Sequence, residues 1–261
     1  MAPVAEPAPV PLIVCGMGRS GTRNAANALN AHREVKLFGE LPIGIARALF
    51  SLLQTADDSH ARNETYEQMW RAKKAAFMFD AFDAFDALGT LGPSQPVAAG
   101  VRFVGHKTPR HEVFFDDYER YFAAVGLEPR YVYCARDALS CWRSYTSMAW
   151  NVKSLSVFLD QYAESFESLN RMLEHAGPRV AVARLGDLQA APHLIDWYRE
   201  TLFEPLGLEL DDDTANLISA MPNRNATSRV TGKPPVELDE EEVLLIDQDE
   251  RVATIRREHF A

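Results

Sequence analysis

Cysteine, long apolar runs and excess positive charge are all scarce in this chain of 261 residues. Its three cysteines have no C-x-x-C spacing, which disfavours a thiolate metal site and favours free thiols in a reducing cytoplasm. No run approaches the roughly 18 consecutive apolar residues of a transmembrane helix, so no membrane partner is expected. The net charge of −10 disfavours general binding of nucleic acid. An anionic ligand would therefore need positive charge gathered at one place.

The composition is that of a soluble globular protein, with 47% hydrophobic and 25% charged residues. A chain of this length buries enough surface to fold without disulfides. Residues 1–10 contain no lysine or arginine, so they do not resemble a secretory signal and are expected to form a flexible leader. Residues 11–261 are expected to form a single domain.

Short apolar runs separated by helical patterns predict an α/β fold. The predicted strands are 11–15, 34–38, 101–105, 130–134 and 179–183. The predicted helices are 22–31, 43–53, 64–88, 116–125, 140–150, 154–176 and 191–206, with a solvated acidic helix at 237–251. Such an alternation favours one domain in which a mostly parallel sheet of about five strands is flanked by helices. Residues 41–95 form a helical insertion in this scheme.

The first predicted strand runs directly into the segment GMGRSGT, residues 16–22, and a helix follows. Glycines permit a tight turn whose N–H groups point inward, and a helix N-terminus adds partial positive charge, so this loop suits a phosphate. The nucleotide-kinase signature G-x-x-x-x-G-K-[ST] is not met, because Thr22 stands where the lysine should be. Arg19 must then supply the charge. A glycine-rich turn without a ligand remains an alternative.

Two further strand ends carry cations. Arg136 and Asp137 follow the fourth strand, and Asp137 is placed to cap the next helix, which contains Ser144. The third strand leads into His106 and Lys107. Segments 16–23, 102–110 and 136–144 together hold seven cations and one acidic residue, a local charge of +6. The cations are Arg19, Arg23, Arg102, Lys107, Arg110, Arg136 and Arg143. Loops after parallel strands gather at one sheet edge, which favours a ligand with two separated phosphate groups.

These segments resemble the PAPS-dependent sulfotransferases, which use 3′-phosphoadenosine 5′-phosphosulfate. GMGRSGT resembles the family's 5′-phosphosulfate loop in its arginine variant. RYVYCARDALSCWRS resembles the 3′-phosphate motif, in which a serine lies eight residues after the arginine. LFGE, GHKTPR, RLGDL and PLGL resemble weaker family segments in the same order along residues 11–210, and the resemblance implies a single P-loop-like α/β domain.

The resemblance implies sulfuryl transfer from PAPS to an acceptor, with a hydroxyl as the expected acceptor group and no metal. The residues implied at the 5′-phosphosulfate are Gly18, Arg19, Ser20, Gly21, Thr22 and Arg23, and those at the 3′-phosphate are Arg136 and Ser144. Arg19 and Lys107 would stabilise charge on the leaving group, with Lys107 as the better proton donor. Glu40 is the candidate general base, His106 is its rival and His32 a weaker one.

Several alternatives stay open at this stage. A P-loop kinase or NTPase, a non-catalytic PAPS-binding module and a generic α/β protein with a basic edge are the competing classes. The acceptor is a small molecule, a glycan or a peptide, and the sequence does not indicate an oligomeric state. Residues 223–235 are either a segment that closes over the nucleotide through Ser228, Arg229 or Lys233, or a plain surface loop.

Overall fold

A computed structural model describes residues 8–61, 63–84, 100–148, 154–221 and 236–260. Its centre is a five-stranded sheet with the order β2-β3-β1-β4-β5, in which every neighbouring pair is parallel. The strands are β1 Val10–Cys15, β2 Val35–Phe38, β3 Phe103–Lys107, β4 Arg130–Ala135 and β5 Val180–Arg184. The predicted α/β fold and parallel sheet are therefore confirmed.

Helices cover both faces of the sheet. The described helices are α1 Thr22–Asn30, α2 Ile43–His60, α3 Glu64–Ala84, α4 Phe115–Ala123, α5 Ala138–Thr146, α6 Leu155–Ala176, α7 Leu185–Ala190, α8 Leu194–Tyr198, α9 Asp212–Ala220, α10 Glu240–Gln248 and α11 Glu250–His259. Successive side chains of a strand alternate between faces. Ile13 and Cys15 accordingly pack with α2–α6, α10 and α11, whereas Leu12 and Val14 pack with α1, α8 and α9.

The third strand begins two residues later than predicted and includes His106 and Lys107. Their polarity suggested a loop, but both side chains are buried and find polar partners inside the protein. Arg102 lies just before β3, at the opposite edge of the sheet from the glycine loop. There its guanidinium donates to the carbonyl oxygens of Gly207 and Leu206 at 2.8 and 3.1 Å. Arg102 therefore does not belong to the predicted cationic edge.

Two predicted helices in the second half of the chain were wrong in their bounds. The predicted helix 191–206 begins only at Leu194, because Ala191 is extended, as residues before proline usually are. The helical path then continues as α8, a π-helical turn at Arg199–Phe203 and a 3₁₀ turn at Glu204–Leu206. The predicted helix 237–251 is two helices that meet at Asp249, and the second is capped by its carboxylate. Ile246 and Val252 are buried, so this region is not simply solvated.

The helical insertion after β2 is present as α2 and α3. The aromatic stripe of α3 faces the core at Phe82, which is buried, while Asp80 and Asp83 are exposed. Four predicted features lie partly or wholly outside the described residues. They are residues 1–7 of the leader, the end of the insertion, the end of the predicted helix 140–150, and the segment 223–235.

Candidate active site

The loop after β1 adopts backbone conformations that favour glycine. Gly16 and Gly21 have φ angles of +117° and +103°, and Arg19 has a φ of +68°. A Cβ on Gly16 would collide with the carbonyl oxygen of Cys134 and come within 3.0 Å of its backbone nitrogen. The loop therefore turns tightly against β4 before α1 begins at Thr22.

This loop presents hydrogen-bond donors that the described protein atoms do not satisfy. The Ser20 hydroxyl oxygen is buried and has no partner among the described residues. The backbone N–H groups of Gly18, Arg19 and Gly21 likewise have no backbone acceptor within the described part of the chain. The start of α1 adds the N–H groups and partial positive charge of a helix N-terminus, with Thr22 buried beside them. An anion is the ligand that would satisfy such a set of donors.

The two sequence motifs with phosphate-binding character meet at Arg19. Its Nε donates to the hydroxyl oxygen of Ser144 in α5 at 2.9 Å. The Arg136 guanidinium, just beyond β4, donates through Nη1 to the carbonyl oxygen of Arg19 at 3.1 Å. Burial, followed by the nearby charge of Arg136, lowers the pKa of Arg19, although an arginine remains charged. Residues separated by more than a hundred positions are thus brought into one cationic cluster.

The remaining predicted cations are spread around this cluster. Arg23 lies half-buried in the first turn of α1. Arg110 pairs with Glu164 of α6 and donates its backbone N–H to the carbonyl oxygen of Gly16 at 2.9 Å. Arg143 is exposed on α5.

Glu40 and Lys107 form an ion pair at the same edge of the sheet. Lys107 ends β3 and its side chain is 3% exposed, whereas the Glu40 side chain, two residues beyond β2, is 33% exposed. The Lys107 ammonium donates to Oε1 of Glu40. The other carboxylate oxygen, Oε2, has no partner among the described residues, so it is the atom able to accept a proton from a bound molecule.

His106 is enclosed in the core and does not fit the role of general base. Its Nδ1 lies 2.9 Å from Oγ1 of Thr108, and its Nε2 lies 2.7 Å from the hydroxyl of Tyr118. Burial, with the charge of Lys107 and the neighbouring His111, lowers the pKa of His106 well below its usual range. Both ring nitrogens are therefore engaged inside the protein.

His32 also lies away from the candidate site. It follows α1 at the end opposite the glycine loop, and its Nε2 lies 3.1 Å from the carbonyl oxygen of Glu209. Its Nδ1 accepts a hydrogen bond from the Glu34 N–H at 3.2 Å, which places a proton on Nε2. His32 therefore makes structural contacts with the backbone of Glu34 and Glu209.

Three residues at this edge were missed in the sequence. The Tyr145 hydroxyl occupies the space that a side chain on Gly18 would take. The Thr108 hydroxyl oxygen accepts the N–H of Leu41, the residue after Glu40, at 2.9 Å. The Glu112 carboxylate is buried and accepts the Gly16 N–H at 2.8 Å. A capping aspartate could be recognised from its neighbours, but these contacts join distant parts of the chain and leave no local pattern.

The described residues also bear on metal binding, membrane spanning and thiol chemistry. Within them, no group of three or more His, Cys, Asp or Glu side chains is placed to hold a metal ion. None of the described helices combines the length and apolar character needed to cross a bilayer. The thiols of Cys15, Cys134 and Cys141 are free and buried.

Comparison with solved structures places this architecture among sulfotransferase folds. The sulfotransferase STF9 of Mycobacterium avium is 13% identical, with a TM-score of 0.51, covering 98% of this chain and 77% of that one. The sulfotransferase domain of the Synechococcus PCC 7002 olefin synthase is 12% identical, with a TM-score of 0.50, covering 97% of this chain and 96% of that one. The sulfotransferase domain of the curacin biosynthetic pathway is 13% identical, with a TM-score of 0.50, covering 97% of this chain and 98% of that one. Identity at this level shows a shared fold.

Comparison at the level of sequence gives the family. No curated protein has a significant sequence match to the chain. The family model described as the sulfotransferase family matches residues 11–189. The matched region contains all five strands except the first residue of β1. It also contains the glycine loop, Glu40, Lys107, Arg136 and Ser144. The chain therefore belongs to the sulfotransferase family.

Proposed function

We propose that this sulfotransferase takes its sulfuryl group from PAPS and passes it to an acceptor hydroxyl. The observation that supports the proposal most strongly is the meeting of the glycine loop with Arg136 and Ser144 through Arg19. Two anion-binding segments are required for a nucleotide with a 5′-phosphosulfate and a 3′-phosphate. A kinase loop would need only the first segment, and it would carry a lysine at position 22.

The residues present fit the 5′ end of such a nucleotide. The buried Ser20 hydroxyl lacks a partner among the described residues, and the N–H groups of Gly18, Arg19 and Gly21 have no backbone acceptor there. Gly18, Arg19, Ser20, Gly21 and Thr22 would hold the phosphosulfate, and Arg23 adds a cation in the first turn of the helix. Charge-assisted hydrogen bonds to phosphate oxygens are the stronger class of hydrogen bond, which makes this donor set well suited to the ligand.

Arg136 and Ser144 would bind the 3′-phosphate. Arg136 is half-buried and holds the carbonyl oxygen of Arg19 through Nη1. The Ser144 hydroxyl oxygen accepts from Nε of Arg19, which places this serine beside the proposed phosphate site. The same contacts that align Arg19 therefore fix the two residues on which 3′-phosphate recognition depends.

Glu40 would act as the general base. Its Oε2 accepts the proton of the acceptor hydroxyl, whose oxygen then attacks sulfur while the bond from sulfur to the bridging phosphate oxygen breaks. Lys107 holds the opposite carboxylate oxygen and fixes the orientation of Oε2. Lys107 and Arg19 would stabilise the negative charge that grows on the bridging oxygen. The leaving group is adenosine 3′,5′-bisphosphate.

The helical insertion, residues 41–95, would shape the acceptor site. It begins directly after Glu40, and α2 starts at Ile43. The first turn of α2 therefore lies within a few residues of the proposed base. Acceptors of this class include small molecules, glycans and peptides with a free hydroxyl.

Thermal stability in the presence of nucleotides tests the donor assignment. A ligand at about 100 times its dissociation constant adds roughly 2.7 kcal/mol, which corresponds to a shift of about 5 °C or more for a chain of this length. We expect adenosine 3′,5′-bisphosphate to raise the melting temperature and ATP with magnesium to leave it unchanged. Stabilisation by ATP with magnesium alone would replace the proposal with a kinase or NTPase. Binding of PAPS without turnover across a broad acceptor panel would leave a non-catalytic module.

A further inference from the structure

A fully buried carboxylate lies directly behind the glycine loop. Glu112 belongs to the 3₁₀ turn His111–Phe114 that follows β3, and the residue is 1% exposed. Its Oε2 accepts the backbone N–H of Gly16 at 2.8 Å, and its Oε1 accepts the hydroxyl of Ser165 from α6. Both oxygens of the carboxylate are thus used inside the protein.

The chain of hydrogen bonds continues through Ser165 to β4. The hydroxyl oxygens of Ser165 and Tyr133 are 2.8 Å apart, and both residues are fully buried. Because the single proton of Ser165 goes to Glu112, the Tyr133 hydroxyl must be the donor to Ser165. Glu112 is therefore linked by hydrogen bonds to α6 and, through it, to β4.

Gly16 needs an acceptor from outside the sheet. The parallel ladders of β1 with β3 and β4 extend only to Val14 and Cys15, so the Gly16 N–H lies beyond them. Glu112 takes this N–H, and the backbone N–H of Arg110 donates to the Gly16 carbonyl oxygen at 2.9 Å. One short segment, residues 110–112, therefore holds both polar groups of the loop's first residue.

A buried carboxylate at position 112 makes the folded protein less stable than an apolar residue would, which argues that its hydrogen bonds have a function. Burial raises the pKa of the Glu112 carboxyl, against the opposing effect of the bonds from Ser165 and Gly16. Transfer of a polar group from water into the core is unfavourable unless it is hydrogen-bonded, and an apolar residue would avoid that cost. An apolar residue at position 112 could not accept the hydrogen bond from the Gly16 N–H.

We propose that Glu112 is a positioning residue for the anion loop. By fixing the peptide of Gly16, it sets the direction in which the chain leaves β1, and hence the direction of the N–H groups of residues 18–21. It does not contact the nucleotide itself. The inference rests on the proposed function, because it takes the loop to be the site of the 5′-phosphosulfate.

The test compares variants that keep or remove the acceptor for Gly16. Glu112→Gln retains an oxygen for the Gly16 N–H, whereas Glu112→Leu leaves that N–H buried without a partner. Dissociation constants for adenosine 3′,5′-bisphosphate and adenosine 5′-phosphate are measured by calorimetry at a temperature where each variant is folded. We expect Glu112→Leu to weaken both ligands by the same factor of about ten or more, and Glu112→Gln to recover most of the loss.

A milder pair of variants provides the test if Glu112→Leu does not fold. Ser165→Ala removes the donor to Oε1 of Glu112 and should weaken both ligands severalfold. Ser168→Ala is the matched control, because Ser168 is equally buried on the same helix but donates to the Glu164 carbonyl oxygen at 2.9 Å. It should leave both dissociation constants unchanged.

The outcomes separate this inference from the proposed function. Lower melting temperatures in Glu112→Leu and Ser165→Ala with unchanged dissociation constants would show a purely structural role and overturn the inference. Wild-type protein that binds neither nucleotide would instead overturn the proposed function, and the inference with it. Equal losses for both ligands with rescue by glutamine would support it, since a loop distortion affects the shared 5′-phosphate.

Discussion

At the scale of single residues, the ion pair of Glu40 and Lys107 has an uneven distribution of exposure. The lysine side chain is almost completely buried and the glutamate side chain is one-third exposed. The surrounding protein therefore fixes the position of the Lys107 side chain, and its ammonium group orients the Glu40 carboxylate. Oε2 of this partly exposed carboxylate has no partner among the described residues, which is the requirement for a general base acting on a bound hydroxyl.

Replacement of this carboxylate gives the first prediction. Glu40→Gln should lower kcat about a hundredfold or more, because a general base typically contributes about 10² to 10⁴ in rate. Affinity for adenosine 3′,5′-bisphosphate should stay within about twofold of the wild type, since Glu40 faces the acceptor in this scheme.

Glu34→Gln provides a matched control for that measurement. Glu34 lies just before the same strand, its side chain is also 33% exposed, and its nearest cation, Arg102, is 4.0 Å away. Its turnover should equal that of the wild type. Undiminished turnover in Glu40→Gln, measured by release of the bisphosphate from PAPS, would remove Glu40 from the mechanism.

At the scale of elements, the glycine loop and α5 fit each other closely. A Cβ on Gly18 would fall on the Tyr145 hydroxyl and come within 2.8 Å of the ring carbon Cζ. The loop path is therefore set by a tyrosine on a helix that also carries Ser144, and both residues are buried. A change in either partner would move donors of the 5′ site and the 3′ site together.

Gly18→Ala should therefore weaken binding of adenosine 3′,5′-bisphosphate by about tenfold or more, because a steric conflict in a packed region costs about 1–3 kcal/mol. Adding Tyr145→Phe should restore part of the affinity, since it removes the colliding oxygen. Gly186→Ala is the control, because a Cβ on Gly186 in α7 would meet nothing within 4 Å. Gly18→Ala with wild-type affinity would show that the loop path tolerates movement.

The elements also show what sequence patterns can and cannot reveal. The strand carrying Leu12 and Val14 is recognisable because its apolar residues are contiguous. The ends of β3 were misplaced because buried polar residues such as His106 look like loop residues until their partners are known. The contact of Gly18 with Tyr145 joins positions far apart in the chain, and only the folded structure brings them together.

At the scale of the whole molecule, a buried polar network makes stability depend on pH. The Tyr118 hydroxyl lies 2.7 Å from Nε2 of His106 and 2.9 Å from Nδ1 of His111. Burial lowers the pKa of His111 to about 3, from 6.5 when unfolded, and lowers the pKa of His106 well below its usual range. Both histidines are therefore neutral in the folded state. Their contribution to stability is complete above about pH 6.5 and is lost as the pH falls below it.

The size of this effect can be isolated with His111→Gln, which keeps a polar group able to hydrogen-bond to the Tyr118 hydroxyl. Each proton bound only on unfolding changes the free energy of unfolding by about 1.4 kcal/mol per pH unit. As the pH falls from 6 to 4.5, the free energy of unfolding should decrease faster in the wild type than in His111→Gln. The difference between the two slopes should be up to about 1.4 kcal/mol per pH unit. Denaturant unfolding across this range measures it, and parallel slopes would contradict the assignment.

Glu112 acts in the opposite direction in the same pH range. Burial raises the pKa of its carboxyl, so the folded state binds its proton at a higher pH than the unfolded state does. Its contribution to stability therefore grows as the pH falls toward 4.5. Because Glu112 is present in both proteins, comparison of the two slopes removes its effect.

At this scale the sequence was informative about the order of segments rather than about their contacts. Strand and helix periodicity indicated a parallel sheet, and the cations after β1 and β4 indicated an anion site at one edge. Arg102 was grouped with them only because the start of β3 was set too early. The contacts of Glu112 with Gly16 and of Thr108 with Leu41 join side chains to distant backbone groups, and no periodic pattern marks such residues.

Recognition of the 3′-phosphate by Arg136 is the claim on which the donor assignment depends most. The direct measurement is the ratio of affinities for adenosine 3′,5′-bisphosphate and adenosine 5′-phosphate, by calorimetry, in the wild type and in Arg136→Ala. Arg130→Ala serves as the control, since Arg130 lies at the other end of β4 and its guanidinium donates to the Pro178 carbonyl oxygen at 3.3 Å.

The wild type and Arg130→Ala should prefer the bisphosphate by about tenfold or more, because a charge-assisted hydrogen bond contributes about 1.5–3 kcal/mol. In Arg136→Ala this preference should disappear. Some common loss for both ligands is expected as well, because Arg136 also holds the Arg19 carbonyl oxygen. A preference that survives intact in Arg136→Ala, or is absent from the wild type, would contradict the assignment of PAPS as the donor.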